Sequence, residues 1–440
     1  MNLQLGVGKD LSFLTDAELT LGLSRHLAVY QMGPERAALE QLEFAGWTFD
    51  VAFRLQGSTT SSAGRVTAIG LDVGLGPRRL RDVITTMEAL GWVTTVRDMD
   101  GQLVSITESI PAAGDLILAA PKLLNVLLVG PVERAALALL RATTLQPLLD
   151  QDALQVAATT EGVKGHDRAA EDALRYLTYT GLIRRVAAAD GREVLYNPNV
   201  WTQGDDFVAK AALRAVDARA TAEVTALLEE VALNPGLPEA HVQSTEAKWV
   251  NFAVSQNLVQ RSVIQTSDAA ERGFLFTPHV RRDPFGGTAG DASGHVRQLV
   301  GSMIYAATFA EYKLHSPEIF LRALINRGVA GHTSNVGTDY PMLEKAGVVR
   351  VVEGYEAGKY RLQLLQQEVA QDALEMLNAR EGTGTEKADA AALRAQRSYR
   401  HVEQERARLA LTSDVDKTEE ERLVAALREV PVSRKAGGVK

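Results

Sequence analysis

Apolar positions along this chain recur in one compound pattern. A stretch with apolar residues at three- and four-residue steps runs into Gly or Asn, two large apolar residues follow, and alternation of period two then sets in. The joint reads Glu88-Ala89-Leu90-Gly91-Trp92-Val93, then Tyr179-Thr180-Gly181-Leu182-Ile183, then Ser255-Gln256-Asn257-Leu258-Val259, then Lys345-Ala346-Gly347-Val348-Val349. The first period is that of a helix with one buried face, the second that of a half-buried strand. Gly at the joint supplies a cheap left-handed residue to stop the helix. Copies lie roughly 75 to 90 residues apart, the scale of one small supersecondary unit, so the chain reads as an array of one module.

The second copy is the clearest. Helical spacing covers Pro131 to Arg141 and Asp150 to Ala158, and a polar turn spans Thr159 to Gly165. Asp167 is a candidate cap for a third helix to about Thr180, with Ala170, Ala173, Leu174 and Leu177 inward. Gly181 ends it; Leu182 to Val186 reads as a strand, Asp190-Gly191 as a tight turn, and Glu193 to Tyr196 as the return strand. The first copy has a helix from Pro77 to Leu90 and a hairpin turning at Asp100-Gly101. The third has helices at Ala220 to Ala232 and Ser244 to Ser255, with strands Leu258 to Ile264 and Phe274 to Thr277. The fourth has helices at Glu318 to Arg327 and Thr338 to Ala346, a turn at Ala330 to Ser334, and strands Val348 to Val352 and Tyr360 to Leu364.

The N-terminal residues are a candidate for a degenerate fifth copy. Gly33-Pro34-Glu35-Arg36 leads to Ala45-Gly46-Trp47 as Gly76-Pro77-Arg78-Arg79 leads to Leu90-Gly91-Trp92, and Phe49, Val51 and Phe53 alternate like a strand. The expected segments are 1–60, helical or a partial module; modules at 61–112, 113–202, 203–282 and 295–379; a Gly-rich linker at 283–294; and a charged helical or disordered tail at 380–440.

Three helices followed by a two-stranded hairpin resemble the winged-helix variant of the helix-turn-helix superfamily. The resemblance rests on pattern over about residues 60 to 365 and on no invariant motif. It implies a mainly α fold with small β-hairpins (α+β), four tandem winged helices, and a third helix that enters the DNA major groove beside the hairpin, or wing.

Charge decides how far that implication carries. The chain has net charge −8 over 440 residues, so a duplex must be met by local basic patches. The first module offers Arg78, Arg79 and Arg81 at the start of its third helix and Arg97 in the wing. The second offers Lys164, His166, Arg168 and Arg175, with Arg184, Arg185 and Arg192 around its wing. Such side chains suit phosphates, and Arg also reads a guanine edge; the plain alternative is a solvated helix face. The third and fourth modules are weaker, with Lys248 and Asn251, and with Thr333, Asn335, Thr338 and Tyr340, beside which caps and turn formers are equally good readings. These two, with the tail, are read as surfaces for a protein partner or homodimer.

Other chemistry is not indicated. There is no cysteine, which excludes disulfides and thiolate sites and fits a reducing compartment. The eight histidines show no ligand spacing, Gly6-Val7-Gly8-Lys9 lacks the rest of a phosphate loop, and no nucleophile-base set emerges. No cofactor, metal or catalysis is expected. Met1 to Asp10 lacks signal-peptide character and no stretch suits a bilayer, so a cytoplasmic location is expected. The function expected is double-stranded DNA binding as a transcriptional regulator. The alternative is a non-catalytic scaffold subunit of a chromosome-organising, replication or defence complex.

Overall fold

The computed structural model describes residues 15–145, 148–166, 168–187, 193–197, 218–255, 258–266, 270–277, 294–309, 314, 316–333, 341–354, 360–380 and 396–412. The fold is α+β, with helices interleaved with small antiparallel sheets of three or four strands.

Helix α1 (Asp16–Leu27) starts in a capping box in which Thr15 and Glu18 satisfy each other's backbone N–H groups. A short α2 (Pro34–Ala37) precedes α3 (Glu40–Leu55). The alternation of Phe49, Val51 and Phe53 belongs to this continuous helix and not to a hairpin. These residues are buried because α3 runs between α1 and the first module's helices, so its apolar residues find neighbours in every direction. Gly46 does not stop α3 but lets α1 cross it. A Cβ there would collide with the Thr20 carbonyl and the Ser24 side chain. Gly46→Ala is expected to cost about 1–3 kcal/mol through overpacking, measurable as a lower urea midpoint.

The first module then runs β1 (Thr60–Ser62), α4 (Ala63–Val73), α5 (Pro77–Leu90), β2 (Val93–Arg97) and β3 (Leu103–Glu108). Helix α5 keeps the bounds that the sequence suggests, and Gly91 ends it at φ +75°. The apolar stretch after β3 forms two short helices, α6 (Ala113–Leu118) and α7 (Ala120–Val126). The second module has α8 (Pro131–Leu145), β4 (Leu148–Leu149), α9 (Asp150–Ala158), α10 (Ala169–Tyr179), β5 (Arg184–Ala187) and β6 (Glu193–Tyr196). The Asp167 cap and the Asp190-Gly191 turn lie outside the described residues, as does the 283–293 part of the linker.

The third module has α11 (Ala218–Leu233), β7 (Leu237–Pro238), a 3-10 turn at Glu239–His241, α12 (Ala247–Ser255), β8 (Gln260–Thr266) and β9 (Glu271–Phe276). The fourth follows α13 (His295–Thr308) with α14 (Pro317–Arg327), β10 (Val329–Thr333), α15 (Pro341–Lys345), β11 (Val349–Glu353), β12 (Tyr360–Leu364) and α16 (Gln367–Asn378). Val329–Thr333 is thus a strand where a turn was expected. In each module a strand that precedes the hairpin pairs with the last strand, giving the orders β1-β3-β2, β4-β6-β5, β7-β9-β8 and β10-β12-β11. In the first three modules that strand has only two or three residues, too few to show alternation in the sequence.

The charged C-terminal stretch folds back onto the body. Strand β13 (Gln396–Arg400) pairs antiparallel with the outer edge of β8, and α17 (Val402–Thr412) packs against α1, β8 and α12. Two of its charged residues, Glu405 and Arg406, are buried. Glu405 is fully buried and meets Arg261 at 2.8 Å, Arg400 at 3.2 Å and Arg408 at 3.0 Å. Mixed charge in helical register looks the same in sequence whether the partners are water or arginines.

A second buried network joins the N-terminal helices to the fourth module and this returning segment. Asp50 on α3 accepts from Arg54 at 2.7 Å and Arg25 at 3.4 Å; Arg54 also reaches Asp72 on α4 at 2.5 Å, and Lys345 on α15 meets Asp72 at 3.7 Å. Burial opposes ionisation of Asp50, yet Arg54 and Arg25 hold its carboxyl well below the usual carboxylate range. His26 is clamped between modules. Its Nε2–H donates to the Thr180 carbonyl at the end of α10 (2.7 Å), and its Nδ1 accepts from Arg406 (3.2 Å). Both contacts suit the neutral ring, and burial followed by the Arg406 charge lowers its pKa to about 3.

Candidate nucleic-acid interface

Helix α5 opens with exposed basic residues. Its first turn holds no acidic residue and its N-cap, Gly76, makes no side-chain cap. The free N–H groups and the positive end of the helix dipole therefore stand beside Arg78 and Arg81 with nothing negative in that turn to offset them. Both arginines are exposed, and neither forms an ion pair among the described residues. This is the arrangement that favours an anion at a helix start.

The other two arginines of the module are engaged. Arg79 lies over the Trp47 ring at 4.9 Å, so it braces α5 against α3. Arg97 sits 3.7 Å from Glu88 and donates to the Gly101 carbonyl at 3.5 Å. The Glu88 contact is half-exposed and weak, and leaves Arg97 available to a stronger anion. The wing is held by Asp98, whose carboxylate accepts from the N–H groups of Asp100 and Gln102. Between α4, the start of α5 and the wing lies a groove of about 350 Å³, with Leu71, Leu75 and Leu103 on its walls and Arg81 and Arg97 among its polar lining.

In the second module the basic groups divide in two. Lys164, His166 and Arg168 lie in the turn before α10, exposed and without an ion pair among the described residues. Past them the helix carries Glu171 and Asp172 in its first turn, and Arg175 pairs with Asp172 at 2.9 Å while covering Tyr176. Arg185 is shared by Glu193 and Asp150. Arg184 is half-buried and acts on His26 and Arg406 at the internal junction, away from the free wing. Arg192 lies outside the described residues. Sequence gives each of these arginines the same weight, and only the fold separates the exposed from the paired.

In the third module Lys248 pairs with Glu246 at 3.1 Å and covers Trp249, and Asn251 is half-buried. Thr333 lies in β10; Asn335, Thr338 and Tyr340 lie outside the described residues. Neither module brings free cations together among the described residues. Nor do the described residues hold a group of three or more His, Asp or Glu able to bind a metal ion, or a helix long and apolar enough to cross a membrane. The sequence reading missed the buried Arg25–Asp50–Arg54–Asp72 network; the i,i+4 spacing of Asp50 and Arg54 was its one visible sign.

Comparison with known proteins gave no match to a family model, to a curated protein or to a solved structure.

Proposed function

We propose that this chain is a non-catalytic double-stranded-DNA-binding protein, a transcriptional regulator built from tandem winged helices, whose first module makes the leading contact. The observation that carries the reading is the uncompensated positive start of α5, with Arg78 and Arg81 free in solvent beside a hairpin in the sheet order β1-β3-β2. Lys164, His166 and Arg168 before α10 support a second, weaker contact. Affinity then comes chiefly from phosphates and falls steeply with salt.

The test is binding to a mixed-sequence duplex by fluorescence anisotropy across a salt series. Replacing Arg78, Arg81, Lys164 and Arg168 together by Ala is expected to weaken binding and to flatten the slope of log K against log salt by about 3 to 4, near 0.9 per phosphate contact. An unchanged slope would show that the duplex docks elsewhere. Absence of wild-type binding at low salt would favour the second reading, a scaffold subunit of a larger complex. The internal pairing of Arg175 and Arg185 and the exposed Leu71, Met99 and Val104 of the first module favour that reading.

A further inference from the structure

Surface grooves in the first two modules all hold arginines, and they differ in what those arginines face. In the groove bordered by α1, α8 and α9, Arg141 already pairs with Asp16. In the one between α9, α10 and β5, Arg175 pairs with Asp172, and Arg185 is shared by Asp150 and Glu193. The groove of about 350 Å³ between α4, α5 and the first wing is different. Its Arg81 is exposed and has neither an ion pair nor a side-chain hydrogen bond among the described residues. Its Arg97 holds Glu88 across a half-exposed 3.7 Å contact and the Gly101 carbonyl at 3.5 Å, both weak enough to yield to a better anion.

This groove has a fixed apolar wall. Gly70 brings α4 so close to α5 that a Cβ there would meet the Leu80 side chain at 2.6 Å. Leu75, Leu80 and Ile84, which line the groove, are 1–6% exposed, so that wall is part of the core and needs no rearrangement to receive a ligand. Leu71, 63% exposed, continues the apolar surface along α4. Across from it the wing ends at Gly101, where an added Cβ would meet no atom within 4 Å, so the mouth stands open. The volume lies at the lower end of the range of about 300–1,000 Å³ usual for small-molecule sites.

Charge sets the class of occupant. The lining sets two cations, Arg81 and Arg97, against one carboxylate, Asp100, and so has a surplus of one positive charge. A guanidinium fork matches a carboxylate in shape. A duplex phosphate would answer the charge but leave the leucines in water; a molecule with one carboxylate and an apolar body answers both.

We propose that this groove binds a small apolar monocarboxylate, with its carboxylate on Arg81 and Arg97 and its body along Leu71, Leu75 and Ile84. The site stands whether or not the chain binds DNA. Where the duplex reading also holds, Arg81 is common to both sites, and the bound carboxylate competes with the phosphates for it.

Isothermal titration calorimetry of the full chain with decanoate tests this, beside decyltrimethylammonium, which has the same chain and the opposite charge. Decanoate is expected to bind once per chain and the cation not to compete with it. Arg81→Ala/Arg97→Ala is expected to weaken decanoate binding about tenfold or more, the usual cost of losing hydrogen bonds to a charged group. Should that variant fail to fold, Leu71→Asp decides: the change is on an exposed helical side chain, sets a carboxylate against the ligand, and is expected to weaken decanoate binding to a similar extent. No binding of decanoate, equal affinity for the two probes, or decanoate binding that survives these substitutions overturns the proposal. Anisotropy of a labelled duplex reads the DNA proposal separately, so a chain that binds decanoate and no duplex keeps this site and loses that reading.

Discussion

Replacing Asp50 by Ala is expected to lower the unfolding free energy by about 3–5 kcal/mol, because it leaves Arg25 and Arg54 buried without their shared carboxylate. Arg54 keeps Asp72 at 2.5 Å, and Arg25 keeps Glu403 at the longer 3.8 Å. The pair is deeply buried, with side chains 3–6% exposed, so the lost Coulomb attraction is not restored by water. Asp150→Ala is the control: it removes a contact to Arg185 at 3.8 Å between side chains 30–36% exposed, and is expected to cost less than about 1 kcal/mol. Urea unfolding of the two variants beside the wild type checks the contrast. Equal losses would mean that Arg25 and Arg54 find other partners when Asp50 is gone.

Acid is expected to destabilise the fold from about pH 6.5 downward, the ordinary histidine pKa. His26 and His295 are fully buried and their pKa values fall to about 3. For His26 the causes are burial and then Arg406; for His295 they are burial and then Arg54. His401 is lowered in the same direction, by burial and then Arg25. Above pH 6.5 neither the folded nor the unfolded chain protonates these rings. Below it the unfolded chain takes up protons that the folded chain refuses, so stability falls, by about 2 kcal/mol per histidine at pH 5. Asp50 acts lower on the scale: its depressed pKa stabilises the fold above about pH 4, and that share is lost below it. Urea midpoints that hold steady between pH 7.5 and 5 would show that these rings are solvated. For His26→Gln, which has no ring to protonate, the slope is expected to shrink.

How the modules are joined explains why these effects are large. Buried residues from Ala17 to Leu195 make one core that merges the N-terminal helices with the first two modules. A second core runs from Ile264 to Leu377, and a third, within the third module, takes in Leu409 from α17. Ion pairs at Asp50, Asp72 and Glu405 and the hydrogen bonds of the neutral His26 tie elements far apart in sequence into a body that lacks independent beads.

The sequence by itself determined the joints at Gly91, Gly181 and Gly347, the bounds of α5, the strand Glu193–Tyr196 and the first hairpin's turn at Asp100-Gly101. Each of these depends on a local period or on a Gly that adopts positive φ, and both are written in consecutive residues. It also placed basic residues at the starts of the third helices. Only the tertiary structure decided that Arg78 and Arg81 stay free while Arg79 lies on Trp47 and Arg185 between two carboxylates. It alone made Phe49, Val51 and Phe53 a helix and turned the charged tail inward. Whether a cation is solvated or paired, and whether an apolar stretch is buried on one face or on all, depends on residues tens to hundreds of positions away, which no local period records.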